Sequence, residues 1–445
     1  MNARSTAPFL LAVCAALGAD FSALEQTVQQ ELRDTHTPGA AIAIISGDRV
    51  IFSKGFGVSS VETAAPITPD MLFRLGSTTK MFTAATLVSL AQAGKLDLNA
   101  PAGTYLKDIA PALARATATQ LLSHTAGIID DAPMFGSHDD SALAANVRSW
   151  KPDYALTDPG RIFSYSNPGY VLAGYLAEVV SGKPFADAVA VDVLRPLGMT
   201  RSTFRPTSAM TYPLAQGHDS SGARIVRPAA DYAGAWPAGS LFSSVNELAR
   251  FVIAFLNDGR LDGKAVLAPS IIARLSAPVI TVPGGDARYA MGLELREDRG
   301  VKWVEHAGDR TGYGSLIRMA PERRFGVIIL GNRSSASLPK TADKAAEIVL
   351  GLLPKPPSKP KSAVAMTEAE MHGYVGQYSN RDSVAEITLR DGKLFEKAEG
   401  RELQLAKSAD GRLVAEGPEQ VSIVPVPAQG PPEFLFIGFR ALKRQ

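Results

Sequence analysis

β-Rich text stands at both ends of a long helical stretch, and that order constrains the fold more than any other feature of the chain. Near the start, "AAIAIISGDRVIFSKGFG" (40–57) is two apolar, β-branched runs joined at Gly47-Asp48, the pattern of a hairpin. Strand-like text returns with "YAMGLELRED" (289–298), "VKWVEHAG" (301–308) and "GSLIRMAPERRFGVIILGN" (314–332). Between them, Thr78 to Lys95 is helical in period, with Gly94 near its end. "FSSVNELARFVIAFLNDG" (242–259) opens on Ser244 and Glu247, spaced as a capping box, and closes at Gly259. Flanking helices are predicted over "ALEQTVQQELRDT" (23–35) and "KTADKAAEIVLGLL" (340–353). The order fits an α+β layer assembled from both ends of the chain, with a helical region inserted between them.

"PKPPSKPKSAVA" (354–365) is a Pro/Lys linker, stiff and extended. After it, residues 366–445 carry short alternating runs between glycine turns, the text of a small all-β domain. At the other end, Arg4 precedes an almost wholly apolar run over 7–17, with Gly18 and Ala19 following. That predicts a signal peptide over 1–19 and an exported, periplasmic or secreted protein. Cys14 loosely resembles a lipoprotein cleavage box, but Val13 is bulky where such boxes carry a small residue, so lipidation is disfavoured. The predicted hydrolytic or binding unit is then 20–353.

Composition removes several function classes. A formal net charge of +2 with no run of five basic residues gives no footprint for nucleic acid or an anionic membrane. Six scattered histidines and one cysteine leave no metal-ligand spacing and no intrachain disulfide. No cofactor is expected, and no later stretch is apolar enough to span a bilayer.

Ser77 and Lys80 in "LGSTTKMF" are spaced i, i+3 at a helix start, where both side chains share one face. A serine hydroxyl is a poor nucleophile until a neighbour takes its proton, and a partly buried lysine can do so. The spelling alone is weak, because Ser337–Lys340 and Ser358–Lys361 match it too. Both of those contain a proline that prevents a regular helical turn. Tyr165-Ser166-Asn167 places a phenol and an amide in the loop "GRIFSYSNPGY", and Tyr378-Ser379-Asn380 repeats that spelling beyond the linker. His306-Ala307-Gly308 ends a strand-like run in "WVEHAGDRTGYG", with a glycine that lets a neighbour approach the strand. His124 in "LLSHTAGI" reads as a supporting residue; Tyr232, Trp236 and Tyr313 read equally as pocket walls or as packing.

Taken in order, Ser77–Lys80, Tyr165–Asn167 and His306–Gly308 resemble the three motifs of the serine β-lactamase and penicillin-binding-protein superfamily. The class C-like branch is the nearest, with its secreted D-alanyl-D-alanine carboxypeptidases, D-aminopeptidases and esterases. "LLSHTAGI" (121–128), "PGRIFSYSNPGY" (159–170) and "PAGSLFSSVNELARF" (237–251) extend the likeness over roughly 22–352. The resemblance implies an antiparallel sheet flanked by helices, an all-helical lobe, and an active site between them, followed here by a barrel-like accessory domain. It implies Ser77 as the acylated nucleophile, Lys80 as its base, and Tyr165 as proton shuttle to the leaving group. Asn167 would bond the substrate amide, His306 would replace the third-motif cation beside Gly308, and the N–H groups of Ser77 and Asp309 would form the oxyanion hole.

The chain departs from that pattern in having no Lys-x-Gly anywhere, Ala307 where a hydroxyl is usual, and an acidic Asp309. These changes weaken recognition of a free substrate carboxylate, unless Arg310 points inward to compensate. The favoured expectation is an exported serine hydrolase acting on a small-molecule or peptide amide or ester. The alternatives are a β-lactam-hydrolysing enzyme and a penicillin-type sensing module that acylates without turnover. The accessory domain is expected to cover or line the cleft and so restrict substrate size.

Overall fold

A computed structural model describes residues 20–131, 133–356, 362–415 and 421–445. The predicted signal peptide and the Ser358–Lys361 match lie outside the described residues. Five helices frame the larger unit: α1 (Ser22–Asp34), α2 (Lys80–Gln92), α3 (Asn167–Ser181), α4 (Val245–Leu256) and α5 (Pro339–Leu350). Its strands are β1 (Gly39–Ser46), β2 (Arg49–Gly57), β3 (Ile280–Thr281), β4 (Arg288–Tyr289), β5 (Glu294–Asp298), β6 (Val301–Arg310), β7 (Tyr313–Ala320) and β8 (Phe325–Gly331). They form one antiparallel sheet in the order β2-β1-β8-β7-β6-β5-β4-β3. The N-terminal hairpin therefore pairs with β8, near the far end of the larger unit, as the two-ended text requires.

Both faces of the sheet are covered, so its central strands are apolar throughout rather than alternating. On one face Ala40, Ile42 and Ile44 of β1 pack with Leu24 and Val28 of α1 and Ala342, Ala345 and Ala346 of α5. On the other, Ala41, Ala43 and Ile45 join the large core of the helical lobe, which holds Phe82 of α2 and Phe251 of α4. Helix α4 keeps half of its predicted box: Ser244 Oγ accepts from Glu247 N, but the Glu247 carboxylate instead holds Arg201 N at 2.9 Å and Ser202 Oγ at 2.5 Å. A tertiary partner has outcompeted the local one.

The terminal domain has strands β9 (Gly376–Asn380), β10 (Ser383–Arg390), β11 (Lys393–Ala398), β12 (Arg401–Ser408), β13 (Leu413–Ala415), β14 (Ser422–Val426), β15 (Phe434–Ile437) and β16 (Arg440–Arg444). Each pairs with the next and β16 pairs with β9, closing an antiparallel barrel. Closure leaves no open edge among these strands. Tyr378, Ile387, Leu394, Leu405, Leu435 and Leu442 fill its interior. Outside, Phe434, Phe436 and Ala441 pack on Ile162, Phe163 and Tyr289 of the larger unit. No described helix is long and apolar enough to cross a membrane.

Candidate active site

The α-helix predicted from Thr78 starts two residues later than expected. Gly76–Thr79 form a single 3-10 turn, and α2 begins at Lys80. The change brings the pair closer, because residues three apart eclipse one another in a 3-10 turn. Two glycines bring β6 against this turn. Gly76 has φ +57°, and a Cβ there would meet the Asp309 backbone at 2.6–2.8 Å. A Cβ on Gly308 would lie 2.1 Å from Leu75 O and 3.0 Å from Ser77 N. Backbone thus lies on backbone, with the amides of Ser77 and Asp309 close together at the lip of the cleft. Ser315 Oγ on β7 fastens the contact by donating to Leu75 O at 2.6 Å.

Lys80 is fully buried, and its Nζ has three hydrogen-bond neighbours: Ser77 Oγ at 3.1 Å, Asn167 Oδ1 at 2.8 Å and Ala238 O at 2.7 Å. Two of these are carbonyl oxygens, which can only accept. A neutral amine has two N–H groups and one lone pair, so satisfying both carbonyls turns the lone pair onto the Ser77 hydroxyl. Burial lowers the Lys80 pKa to about 7; Asp130 opposes that shift and Arg440 adds to it.

Asn167 opens α3 behind Ser166, whose Oγ accepts from Gly169 N at 3.0 Å, and Pro168 stands in the first turn. Tyr165 precedes the cap and lines the cleft beside Ser77. Burial pushes its phenol well above the usual value, a hydrogen bond with Ser77 working the other way, so it is protonated near neutrality. His124 stacks on the Tyr165 ring at 4.1 Å and accepts from Ser166 N through Nδ1 at 3.0 Å. Burial drives its pKa well below the ordinary histidine value, leaving a neutral ring that supports the loop.

His306 lies on the same side, its Nε2 2.9 Å from Tyr289 Oη and its ring 6.2 Å from that of Tyr165. The expected third-motif cation is not formed there. Burial, reinforced by Lys80, lowers the His306 pKa to about 4, so the ring is neutral at physiological pH. Ala307 is exposed in the cleft, and the Asp309 carboxylate accepts from Ser335 N at 2.8 Å. Arg310 does point inward, but its guanidinium donates to Gly239 O at 3.3 Å and Ala230 O at 2.9 Å. Burial and the neighbouring Arg74 pull its pKa down to about 9.

Two cavities meet at Ser77 and Tyr165. One, of about 210 Å³, is walled by Met134, Trp150, Tyr154 and Val171, with Asn167 and Arg310 at its edge. The other, of about 380 Å³, is walled by Tyr289, His306, Ala307, Gly308 and Phe439. Arg440 lines both. Gly438 and Phe439 form the turn between β15 and β16, and Arg440 opens β16, so the barrel lines the cleft directly; Tyr165 N donates to Phe439 O at 2.8 Å. Asp130, Trp150, Tyr154, Tyr289 and Arg440 carry no spelling that marks them in the sequence. Trp236 and Tyr313 are packing residues, the latter donating to Ala215 O at 2.8 Å, and Tyr232 packs beside Gly136 and Gly234. The repeated Tyr378-Ser379-Asn380 is structural, with Tyr378 in the barrel core and Asn380 Oδ1 accepting from Asp130 N at 2.9 Å. Lys340 lies near Asp34 at the surface, behind a left-handed Leu338 and Pro339. Among the described residues no group of three His, Cys, Asp or Glu is placed to hold a metal.

The family model described as Beta-lactamase matches residues 24–350. Among curated proteins, Protein flp of Staphylococcus aureus is 26% identical over 332 residues, covering 72% of this chain. The chain spans 64% of that relative's length. Penicillin-binding protein 4 of Amycolatopsis lactamdurans is 28% identical over 316 residues, 68% of this chain and 82% of the relative. Among solved structures, SurE with D-Leu superposes with a TM-score of 0.77 at 26% identity, covering 95% of this chain and 99% of that one.

Proposed function

The chain belongs to the beta-lactamase family, and on that premise we propose that it is a serine hydrolase cleaving an amide or ester through an acyl-enzyme on Ser77. The observation that carries this reading is the Lys80 amine, held by two carbonyls so that its third position faces Ser77 Oγ. In the acylation step Ser77 Oγ bonds to the substrate carbonyl carbon while its proton passes to Lys80 Nζ. Negative charge moves to the carbonyl oxygen, beside the amides of Ser77 and Asp309. Collapse breaks the bond to the leaving group, which takes a proton from the Tyr165 phenol; Tyr165 is restored through Lys80. Water then cleaves the acyl-enzyme to acid and free Ser77.

A substrate laid across Ser77 places one residue in each cavity. The smaller cavity, lined by Met134, Trp150 and Val171 and also by Asp131, Asn146 and Arg310, fits a single side chain of modest size. A D-amino-acid residue at the scissile bond is favoured by the likeness to a structure that holds D-Leu and to a penicillin-binding protein. Export belongs to the same reading and rests on the charge and hydropathy pattern of residues 1–19.

Ser77→Ala is expected to abolish turnover of a p-nitrophenyl ester and of D-amino-acid peptides, with the fold kept. Residual turnover above about a hundredth of the parent rate would place the nucleophile elsewhere. The alternative of a sensing module has its own signature: a persistent acyl mass on Ser77 with no product release.

A further inference from the structure

Asp130 carries no role in the hydrolytic reading above, yet its carboxylate bonds both Asn167 of the catalytic loop and Arg440 of the barrel. One carboxylate oxygen, Oδ1, accepts from Asn167 N at 2.7 Å and from Asn167 Nδ2 at 3.1 Å. The other, Oδ2, accepts from Arg440 Nε at 2.6 Å and is ion-paired with Nη2 at 2.6 Å. Its own backbone N–H donates to Asn380 Oδ1 of the barrel at 2.9 Å. The barrel therefore grips Asp130 at backbone and side chain, and Asp130 grips Asn167 at the same two places. Asn167 Oδ1 is in turn one of the two carbonyls that aim the Lys80 amine.

We propose that Asp130 is a positioning residue that fixes Asn167 against Lys80 and couples both to the docked barrel, making the barrel part of the catalytic machinery. Fixing Nδ2 on a carboxylate decides which way the amide faces, since only Oδ1 can then accept from Lys80. A reversed amide would present N–H to Lys80 and destroy the aim of its lone pair. The carboxylate and guanidinium also act on Lys80 by charge, in opposite senses. The other titratable groups facing Lys80 are Ser77, His124, His306, Tyr165 and Tyr170. Burial holds both histidines neutral and both phenols protonated, so Asp130 and Arg440 supply the charge that bears on it.

This inference rests on Lys80 being the base, and its test is chosen to read out without turnover. Lys80 is titrated in the full chain through its 13Cε resonance, assigned with Lys80→Arg. Asp130→Asn removes a negative charge that favours the ammonium, so the Lys80 midpoint is expected to fall, by about one pH unit. Arg440→Gln removes a positive charge, so the midpoint is expected to rise. The acid limb of ester kcat/KM should move with each. Asp130→Glu, which keeps the charge, should return the midpoint toward the parent. Midpoints that stay at the parent value in both charge variants, or move in the same direction, overturn the proposal; Arg440→Gln decides it if Asp130→Asn does not fold. A parent that never acylates Ser77 sinks the hydrolase reading instead, and the titration is still read.

Discussion

On the proposed mechanism, Lys80 sets the pH at which the site works. Below its pKa of about 7 the amine is an ammonium with no lone pair, so it cannot take the Ser77 proton. kcat/KM for an activated ester is therefore expected to fall on the acidic side with a half-maximum near pH 7. A profile flat down to pH 5 would exclude Lys80 as the base. Lys80→Met should cost about a thousandfold in kcat, within the usual range for a general base. Tyr165→Phe removes the proton donor while keeping the ring under His124, so it should lower kcat roughly a hundredfold with little change in thermal midpoint. Ser77, Lys80, Tyr165 and Asn167 were legible in the sequence because each motif is local, its members within three residues of one another. Asp130 and Arg440 were not, since their meaning comes from a contact between residues 310 apart. The neutrality of His306 was likewise hidden, because spelling does not record burial.

On the proposed mechanism the 3-10 turn at Ser77 and strand β6 supply the oxyanion site, and their contact tolerates no side chain. Gly308→Ala would put a Cβ 2.1 Å from Leu75 O. The strand must then draw back, separating the amides of Ser77 and Asp309. We expect kcat to drop by about 10²–10³, the cost of losing one such donor, together with a lower thermal midpoint. Unchanged kinetics in this variant would mean that the two amides do not act together. The same strand carries no cation at His306 and no hydroxyl at Ala307, so a free substrate carboxylate gains little from it. Nitrocefin should accordingly turn over at least about tenfold more slowly than the p-nitrophenyl ester, a barrier difference of roughly 1.4 kcal/mol. The hairpin at Gly47-Asp48 and helices α1, α4 and α5 could be read from period and turn residues, whereas the 3-10 turn could not. It exists because Gly76 and Gly308 let two backbones touch, a tertiary condition.

At the scale of the whole molecule, the two-ended β text located the sheet, and the linker located the second domain. The closure of that domain into a barrel, and the side it presents to the cleft, depend on pairings no local pattern encodes. Docking buries Phe434 and Phe436 against Ile162, Phe163 and Tyr289, and adds the Arg161–Glu433 pair at 2.7–3.0 Å. A chain stopped after Pro354 exposes that apolar face and loses Arg440 and Asn380 together. It should associate on size-exclusion chromatography and retain less than about a hundredth of the ester rate, because Asn167 loses its anchor. An active, monomeric truncation with an unchanged substrate profile would show that the barrel is a passenger. All of these expectations presuppose the acyl-enzyme, and labelling with a serine-reactive phosphonate tests it most directly. Intact mass should show one adduct per chain, peptide mapping should place it on Ser77, and Ser77→Ala should remain unlabelled. An adduct on another residue, or labelling retained in Ser77→Ala, would contradict the central claim.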